Sequence, residues 1–362
     1  MSVNTADAPP MQPRWQQWLR WLAPVVLLAL LLLVFRDELP FLGKAWKVLG
    51  RAQPWPVVAG VITASLAIAA MAGVMQILLN IEGRITDPAR TNAITLASNA
   101  WSTTVPGGPA ISAWLTYRVH RSWGASVGLC GWFFVISGAL STVWMVVIGV
   151  AAVVLMGADL SLTSLSVTLL LAVAAIGGLF WATRHPEVLK RWVGFVPQKV
   201  RERVERVIDQ VAEIRMTGGQ FVTAAVLSLL NQLFDVCTMV FAVWAVLGSA
   251  PGFTAGLNEI TIMGVAIAFI MTKLAGAAQI TPGGVGTVEP VLAGMLVAGG
   301  MTLIDATAAT VLYRTISFAL ITAIGWVVYA WVYAGRGYML GIRLADAERR
   351  NYAAGNEAAT DN

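Results

Sequence analysis

Long uncharged apolar runs alternate with short charged stretches along the chain. The long runs cover 54–80, 92–117, 122–158, 160–183, 216–234, 236–258 and 315–335, and a shorter run covers 21–35. A helix needs about 20 consecutive, mostly apolar residues to span a bilayer. The pattern therefore predicts an all-α polytopic membrane protein.

Basic residues are concentrated in some of the connecting stretches and absent from others. They occur in the N-terminal segment, in loop 118–121, in segment 184–215 and after residue 335. Cytoplasmic loops carry an excess of Lys and Arg, so we place these stretches inside. The loops near 157–162, 249–259 and 301–305 contain acidic residues and no Lys or Arg, so we place them outside. Loop 36–53 fits this scheme least well, because it carries four basic residues but must lie outside.

This charge pattern predicts six crossing helices and two segments that enter the membrane and return to the same side. The crossings are 18–36, 54–80, 125–156, 161–183, 218–248 and 304–335, and the re-entrant segments are 92–117 and 259–300. Both termini are then cytoplasmic, in the inner (plasma) membrane of a cell. The expected organisation is a tail 1–17, a membrane domain 18–335 with halves 54–183 and 218–335 joined by an amphipathic connector 184–217, and a disordered tail 336–362.

Each re-entrant segment is interrupted in its middle by the triplet Pro-Gly-Gly. Proline and glycine break helices, so each segment is predicted to be a hairpin of two half-helices. One hairpin enters from inside and the other from outside, which is the arrangement of an inverted-topology repeat. A simple kink or an external loop is the alternative. The candidate site residues at the two tips are Pro106, Gly107, Gly108, Pro282, Gly283, Gly284 and Gly286.

Two ionisable residues follow the second triplet at membrane depth. Ionisable groups in such positions are costly and commonly functional. Glu289 is expected either to cap the second half-helix, to pair with a cation or to face a headgroup path. Arg314 keeps its charge and therefore needs an anion. It is expected either to pair with Glu289, to contact a substrate phosphate, or to extend its side chain to the bilayer interface.

Four further polar residues are weaker candidates for the same site. Asn231 and Asp235 lie four residues apart on one helical face, where they line a cavity or tie helices together. Lys273 precedes the second tip and points either to the site or to an interface. Arg118 follows the first hairpin and is a candidate phosphate contact or an ordinary cytoplasmic anchor.

Composition narrows the function classes. The chain is 57% hydrophobic and 12% charged, with a mean hydropathy of +0.72, against about 25% charged residues in soluble domains. No P-loop motif, no metal-ligand spacing and no nucleophile–base pair is present, and the two histidines are expected in basic loops. We therefore expect no enzyme activity, no cofactor, no metal and no nucleic-acid partner.

Two stretches carry a resemblance to a known family. The segment TPGGVGTVEPVLAGMLVAGGMTLIDATAATVLYRTISF, residues 281–318, resembles the signature of the lysylphosphatidylglycerol synthase transmembrane region, or flippase-like domain. The matching positions are Pro282, Gly283, Gly284, Gly286, Glu289 and Arg314. VPGGPAISAWLTYRVHRSWGAS, residues 105–126, is similar to the first-half motif. It has Pro109 and Ala110 where the family has a carboxylate, and no arginine lies in the next helix.

The resemblance implies a lipid translocase-like protein without the soluble transferase domain of the full-length synthases. Such a protein moves or binds an anionic or amino-modified phospholipid headgroup in a polar cleft between the two hairpins, and its partners are membrane phospholipids. The alternatives are a secondary transporter of a small anionic solute and a membrane scaffold for an envelope-lipid biosynthetic enzyme. The sequence specifies neither the lipid nor the oligomeric state.

Overall fold

The structure is a computed structural model. It describes residues 52–156, 166–167, 170–171, 173–178, 181, 216–277 and 281–334. The predicted first crossing 18–36, both tails and almost all of the connector 184–217 lie outside these residues. So does most of the predicted crossing 161–183.

Within residues 52–156, 216–277 and 281–334 the chain forms eight longer helices, one short 3-10 helix at Pro282–Gly284, and no strand. They are α1 (Pro54–Leu79), α2 (Pro88–Thr104), α3 (Gly108–Ser122), α4 (Val127–Met156), α5 (Gly218–Leu247), α6 (Ile262–Ala277), α7 (Val288–Ala298) and α8 (Leu303–Tyr333). Four of them, α1, α4, α5 and α8, are long and apolar enough to span a bilayer. The predicted all-α, multi-pass membrane character is confirmed, and these four helices coincide with four of the six predicted crossings.

Helices α1 and α5 form the antiparallel centre of the described part. The backbone N–H of Gln53, just before α1, donates to the carbonyl of Ala245 near the end of α5, over 3.0 Å. Small residues let the two helices approach closely, as at Gly60, where an added Cβ would lie 3.7 Å from the Cβ of Phe241. The hydroxyls of Thr63 and Thr238 join the pair at 2.9 Å.

Four of the remaining helices form two helix–turn–helix units, and each unit packs against a long helix from the other half of the chain. Helix α2 packs on α3 and α6 packs on α7. The C-terminal part of α8 packs on α2, whereas α4 packs on α6. Each hairpin is therefore covered by a long helix from the other half, and the turn of the second hairpin packs on α2.

Helix α8 is not regular. Two π-helical stretches, Thr315–Leu320 and Tyr329–Tyr333, interrupt it, and such stretches often occur at functional sites. The first begins directly after Arg314. Further along, Gly325 contacts the carbonyl of Leu96, so a side chain there would force α8 away from α2.

The sequence prediction was wrong for His120. It lies inside α3, which continues to Ser122, and it is completely buried. Its Nε2 lies 3.4 Å from the sulfur of Met75, and the Phe133 ring packs edge-on against it. The aromatic and apolar neighbours that α3 meets after folding outweigh the local basic sequence that suggested a loop.

Candidate functional site

A cavity of about 650 Å³ lies between the two Pro-Gly-Gly tips. Its wall is made by α1, α2, α3, α5, α6, the first residue of α7, and α8, together with both tips. Ten of the thirteen predicted site residues line it: Pro106, Gly107, Gly108, Asn231, Asp235, Lys273, Pro282, Gly283, Gly284 and Arg314. The first and last of these residues, Pro106 and Arg314, are 208 positions apart in the sequence.

The second tip owes its shape to glycine. Gly283, Gly284 and Gly286 have φ values of 61°, 66° and 80°, in the left-handed region that other residues rarely adopt. A Cβ on Gly283 would lie 2.7 Å from the carbonyl oxygen of Thr103 and would also strike the ring of Phe318. The second tip therefore packs directly against the first hairpin and α8.

A buried ion pair fastens this tip to α8. Nε of Arg314 donates to Oε1 of Glu289 over 2.8 Å, and its Nη2 donates to the carbonyl of Gly283 over 2.8 Å. The guanidinium lies 4.2 Å from the centre of the Phe318 ring. The predicted pairing of Arg314 with Glu289 is confirmed, and the alternative in which Arg314 reaches the bilayer interface is wrong, because its side chain is only 10% exposed.

Glu289 has two structural roles at once. Its Oε2 accepts from the backbone N–H of Gly286 over 2.7 Å, near the start of α7, while its Oε1 accepts from Arg314. Anionic groups are favoured at a helix N-terminus. The cation-pairing prediction is met by this carboxylate, whereas its backbone bond goes to Gly286, which precedes the N-cap Thr287, so Glu289 does not cap α7 in the usual sense. Glu289 and Gly286 do not line the cavity, but Glu289 holds Arg314, which does.

A second ion pair, which the sequence analysis did not foresee, lies on another part of the wall. Nζ of Lys273 on α6 donates to Oδ2 of Asp235 on α5 over 2.8 Å. Their side chains are 40% and 19% exposed, so this pair is more accessible than the first. The sequence did contain a signal: two apolar helices carry a single charge each, of opposite sign, and burying either one alone is costly.

Asn231 combines the two roles that the sequence left open. Its Nδ2 donates to the carbonyl of Ala67 over 2.8 Å and so ties α5 to α1. It also lines the cavity, one turn before Asp235 on the same helix.

The first tip is built without charges. Gly107 is left-handed at φ 68°, and its carbonyl accepts from Ala110 and Ile111 at the start of α3. Gly108 contacts the carbonyls of Ser102 and Trp101, so a larger residue would not fit. Hydroxyl and amide groups of Ser98, Asn99, Ser102, Thr103 and Ser112 provide the polar part of the wall on this side.

Arg118 is not brought to the cavity. Its guanidinium lies 4.8 Å from the ring centre of Trp114, one turn earlier on α3. Among the cavity residues that sequence reasoning missed are Tyr313 and Phe318. Phe318 follows Arg314 by four positions, the spacing at which helical side chains meet, and this spacing was the available signal.

The described residues contain no group of three or more His, Cys, Asp or Glu side chains that could hold a metal ion. The wall offers the Lys273–Asp235 ion pair, the guanidinium of Arg314, glycine backbone and hydroxyl groups. Such a set binds polar or charged groups by hydrogen bonds and charge.

Comparison with known proteins agrees with these motifs. The family model described as the lysylphosphatidylglycerol synthase TM region matches residues 20–325. A protein described as a UPF0104 membrane protein, from Methanothermobacter thermautotrophicus, is 32% identical over 124 residues, which is 33% of this chain and 34% of the relative. The match thus spans about a third of the length of this curated relative. Because the family model covers most of the chain, the protein belongs to the family of the lysylphosphatidylglycerol synthase TM region.

Proposed function

We propose that this protein binds a phospholipid headgroup in the cavity and lets it pass between leaflets, while the acyl chains stay in the bilayer. One observation carries the proposal: both Pro-Gly-Gly tips face a single cavity whose wall also holds Arg314 and the Lys273–Asp235 pair. Buried charges in a membrane domain are commonly functional. Because glycine has no side chain, the tips let a polar ligand approach the backbone closely.

The proposed topology is that of an inverted repeat with two re-entrant hairpins. The exchange of partners supports it, because α8 packs on the first hairpin and α4 packs on the second. Broken helices at matching positions of two halves are typical of transporter binding sites. Both termini are then cytoplasmic, and passage of the headgroup is passive or coupled to an ion, without catalysis.

Reconstitution tests the function. The purified protein is placed in liposomes with acyl-labelled fluorescent phospholipids, and a membrane-impermeant quencher measures lipid arrival in the outer leaflet. Wild type is expected to move lipid faster than empty vesicles, and the variant Glu289→Gln/Arg314→Met is expected to lose most of this rate because the second tip is released.

Asp87→Asn is the matched control for that assay. Asp87 is an exposed carboxylate with its own partner, Arg90, and it caps α2 away from the cavity. Asparagine caps helices as well as aspartate, so this variant keeps the wild-type rate. Equal rates for empty and protein-containing vesicles would remove the proposed function.

The topology is tested by cysteine labelling with an impermeant thiol reagent, in a background without Cys130 and Cys237. Cysteines at Pro106 and Pro282 are expected to react far more slowly than a cysteine at Thr254, which lies exposed in the loop after α5. Fast labelling of both tips in bulk solvent would show that they protrude from the membrane, and the re-entrant arrangement would then be wrong.

A small anionic solute is the second candidate substrate. The volume of about 650 Å³ and the cations on the wall favour it, since they suit a free phosphate ester as well as a headgroup. Uptake of radiolabelled phosphate esters without lipid movement would support this function over the first.

A further inference from the structure

The two ion pairs of the cavity differ in how they are held. Arg314 is fixed by Glu289, by the carbonyl of Gly283 and by the ring of Phe318, and its side chain is 10% exposed. Lys273 is 40% exposed; within the described part of the chain its one hydrogen bond goes to Asp235, and its ammonium lies 5.1 Å from the centre of the Phe269 ring. The first pair holds the tip in place, whereas the second faces the cavity with unused hydrogen-bonding capacity.

The chemistry of the second pair sets what can bind there. An ammonium group has three donors, so Lys273 keeps two for a ligand. Asp235 has further acceptor positions on its carboxylate. Asn231, one turn away, uses its amide N–H on Ala67 and keeps its carbonyl oxygen for a donor. An anion site and a cation site therefore lie side by side on one wall.

Charge balance decides between ligand classes. The Lys273–Asp235 pair is neutral, and so is the Arg314–Glu289 pair. A purely anionic group that captures Lys273 would leave the carboxylate of Asp235, whose side chain is only 19% exposed, without its cation, which is unfavourable. A purely cationic group would leave Lys273 in the same position. A group that carries both charges exchanges partners with the pair and leaves every charge matched.

We infer that the Lys273–Asp235 pair selects a zwitterionic headgroup, with its phosphate against Lys273 and its ammonium against Asp235 and Asn231. The inference rests on the proposed function and names its substrate class. Arg314 and Glu289 are then positioning residues that keep the second tip in contact with the bound headgroup.

A comparison of two lipids tests the inference. Proteoliposomes receive acyl-labelled phosphatidylethanolamine, which is zwitterionic, or phosphatidylglycerol, which is anionic. Wild type is expected to move the first at least about tenfold faster, which corresponds to about 1.4 kcal/mol of discrimination. Asp235→Asn leaves Lys273 unopposed and is expected to reduce or reverse this ratio, whereas Asp87→Asn keeps it.

The outcomes separate the inference from the function on which it rests. If wild type moves both lipids at the same rate, or if Asp235→Asn moves both with an unchanged ratio, the pair does not select the headgroup, although the translocase function stands. If wild type moves neither lipid, the proposed function itself fails.

A second measurement on the wild-type protein keeps the inference testable if Asp235→Asn does not fold. Thermal unfolding in detergent is followed with short-chain phosphatidylethanolamine or phosphatidylglycerol at equal concentrations. At equal concentration, the ligand that binds the folded state more tightly raises Tm more. The zwitterionic lipid is expected to give the larger rise, and an equal or larger rise with the anionic lipid would overturn the inference.

Discussion

The two tips share a triplet and a left-handed glycine but are held in different ways. The second tip is tied to α8 by the guanidinium of Arg314, which bonds both Glu289 and the carbonyl of Gly283. The first tip is closed by backbone hydrogen bonds around Gly107, and a hydroxyl pair between Thr103 and Thr322 joins its hairpin to α8 at 3.0 Å. The same left-handed glycine turn is thus held by an ion pair at the second tip and by neutral hydrogen bonds at the first.

The first half of the chain lacks both members of the ion pair that the second half has. The segment after the first tip has Pro109 and Ala110 where the family has a carboxylate, and α4 has no arginine. A carboxylate buried without its cation would be strongly destabilising. The two charges are therefore expected to be present together, as in the second half, or absent together, as in the first. The first half supplies shape and hydroxyl groups, and the second half supplies charge.

The largest effect is expected from removing the charge that holds the second tip. Arg314→Met leaves Glu289 buried without its cation and the Gly283 carbonyl without its donor. Breaking a buried pair by deleting one partner costs about 3–5 kcal/mol. The measurement is equilibrium unfolding in mixed micelles with increasing SDS.

The double variant Glu289→Gln/Arg314→Met is the control for this prediction. Removing both charges leaves no uncompensated ion, so it is expected to unfold within about 2 kcal/mol of wild type. A single variant that loses under about 1 kcal/mol would show that the second tip does not depend on charge, and the contrast between the halves would disappear.

A smaller effect is expected from glycine substitutions that compare the two tips. Gly283→Ala places a methyl 2.7 Å from the Thr103 carbonyl and against Phe318, in a left-handed backbone. Gly107→Ala at the first tip and Gly286→Ala near the second have left-handed backbones too, but their methyl groups would meet nothing within 4 Å.

The backbone cost of about 1–2 kcal/mol applies to all three alanine variants. Gly283→Ala is expected to lose about 1–3 kcal/mol more from overpacking, and adding Phe318→Ala is expected to recover part of that excess. The same unfolding assay measures all four proteins. Equal losses at Gly107 and Gly283 would show that the second tip does not pack closely on the first hairpin.

Much of this architecture could be predicted from the sequence because its causes are local. Long uncharged runs predict helices at membrane depth, and Pro-Gly-Gly breaks a helix wherever it occurs. The pairing of Glu289 with Arg314 was also predictable, since each needs a partner of opposite charge and both follow one tip.

The remaining parts depend on packing between distant helices, which no local pattern encodes. Lys273 and Asp235 meet because α6 packs beside α5, and either could have faced another group. His120 is buried because aromatic residues of α4 cover it, although its own neighbours are basic. Arg118 shares a helix with the first tip but lies too far along α3 to reach the cavity, and it stacks on Trp114 instead.

The smallest expected effect tests the neutral fastening of the first hairpin. The hydroxyl of Thr103 lies 2.8 Å from the carbonyl of Asn99 and 3.0 Å from the hydroxyl of Thr322. Thr103→Val removes the first hydroxyl of the Thr103–Thr322 pair, and Thr322→Val removes the second. Side-chain hydrogen bonds between membrane helices contribute about 0.6 kcal/mol on average. A double-mutant cycle in the SDS unfolding assay is therefore expected to give a coupling near this value, several-fold below the coupling between Glu289 and Arg314. A coupling as large as that of the ion pair would mean that a neutral hydroxyl pair holds the first hairpin as firmly as an ion pair holds the second, and the contrast between the two tips would be wrong.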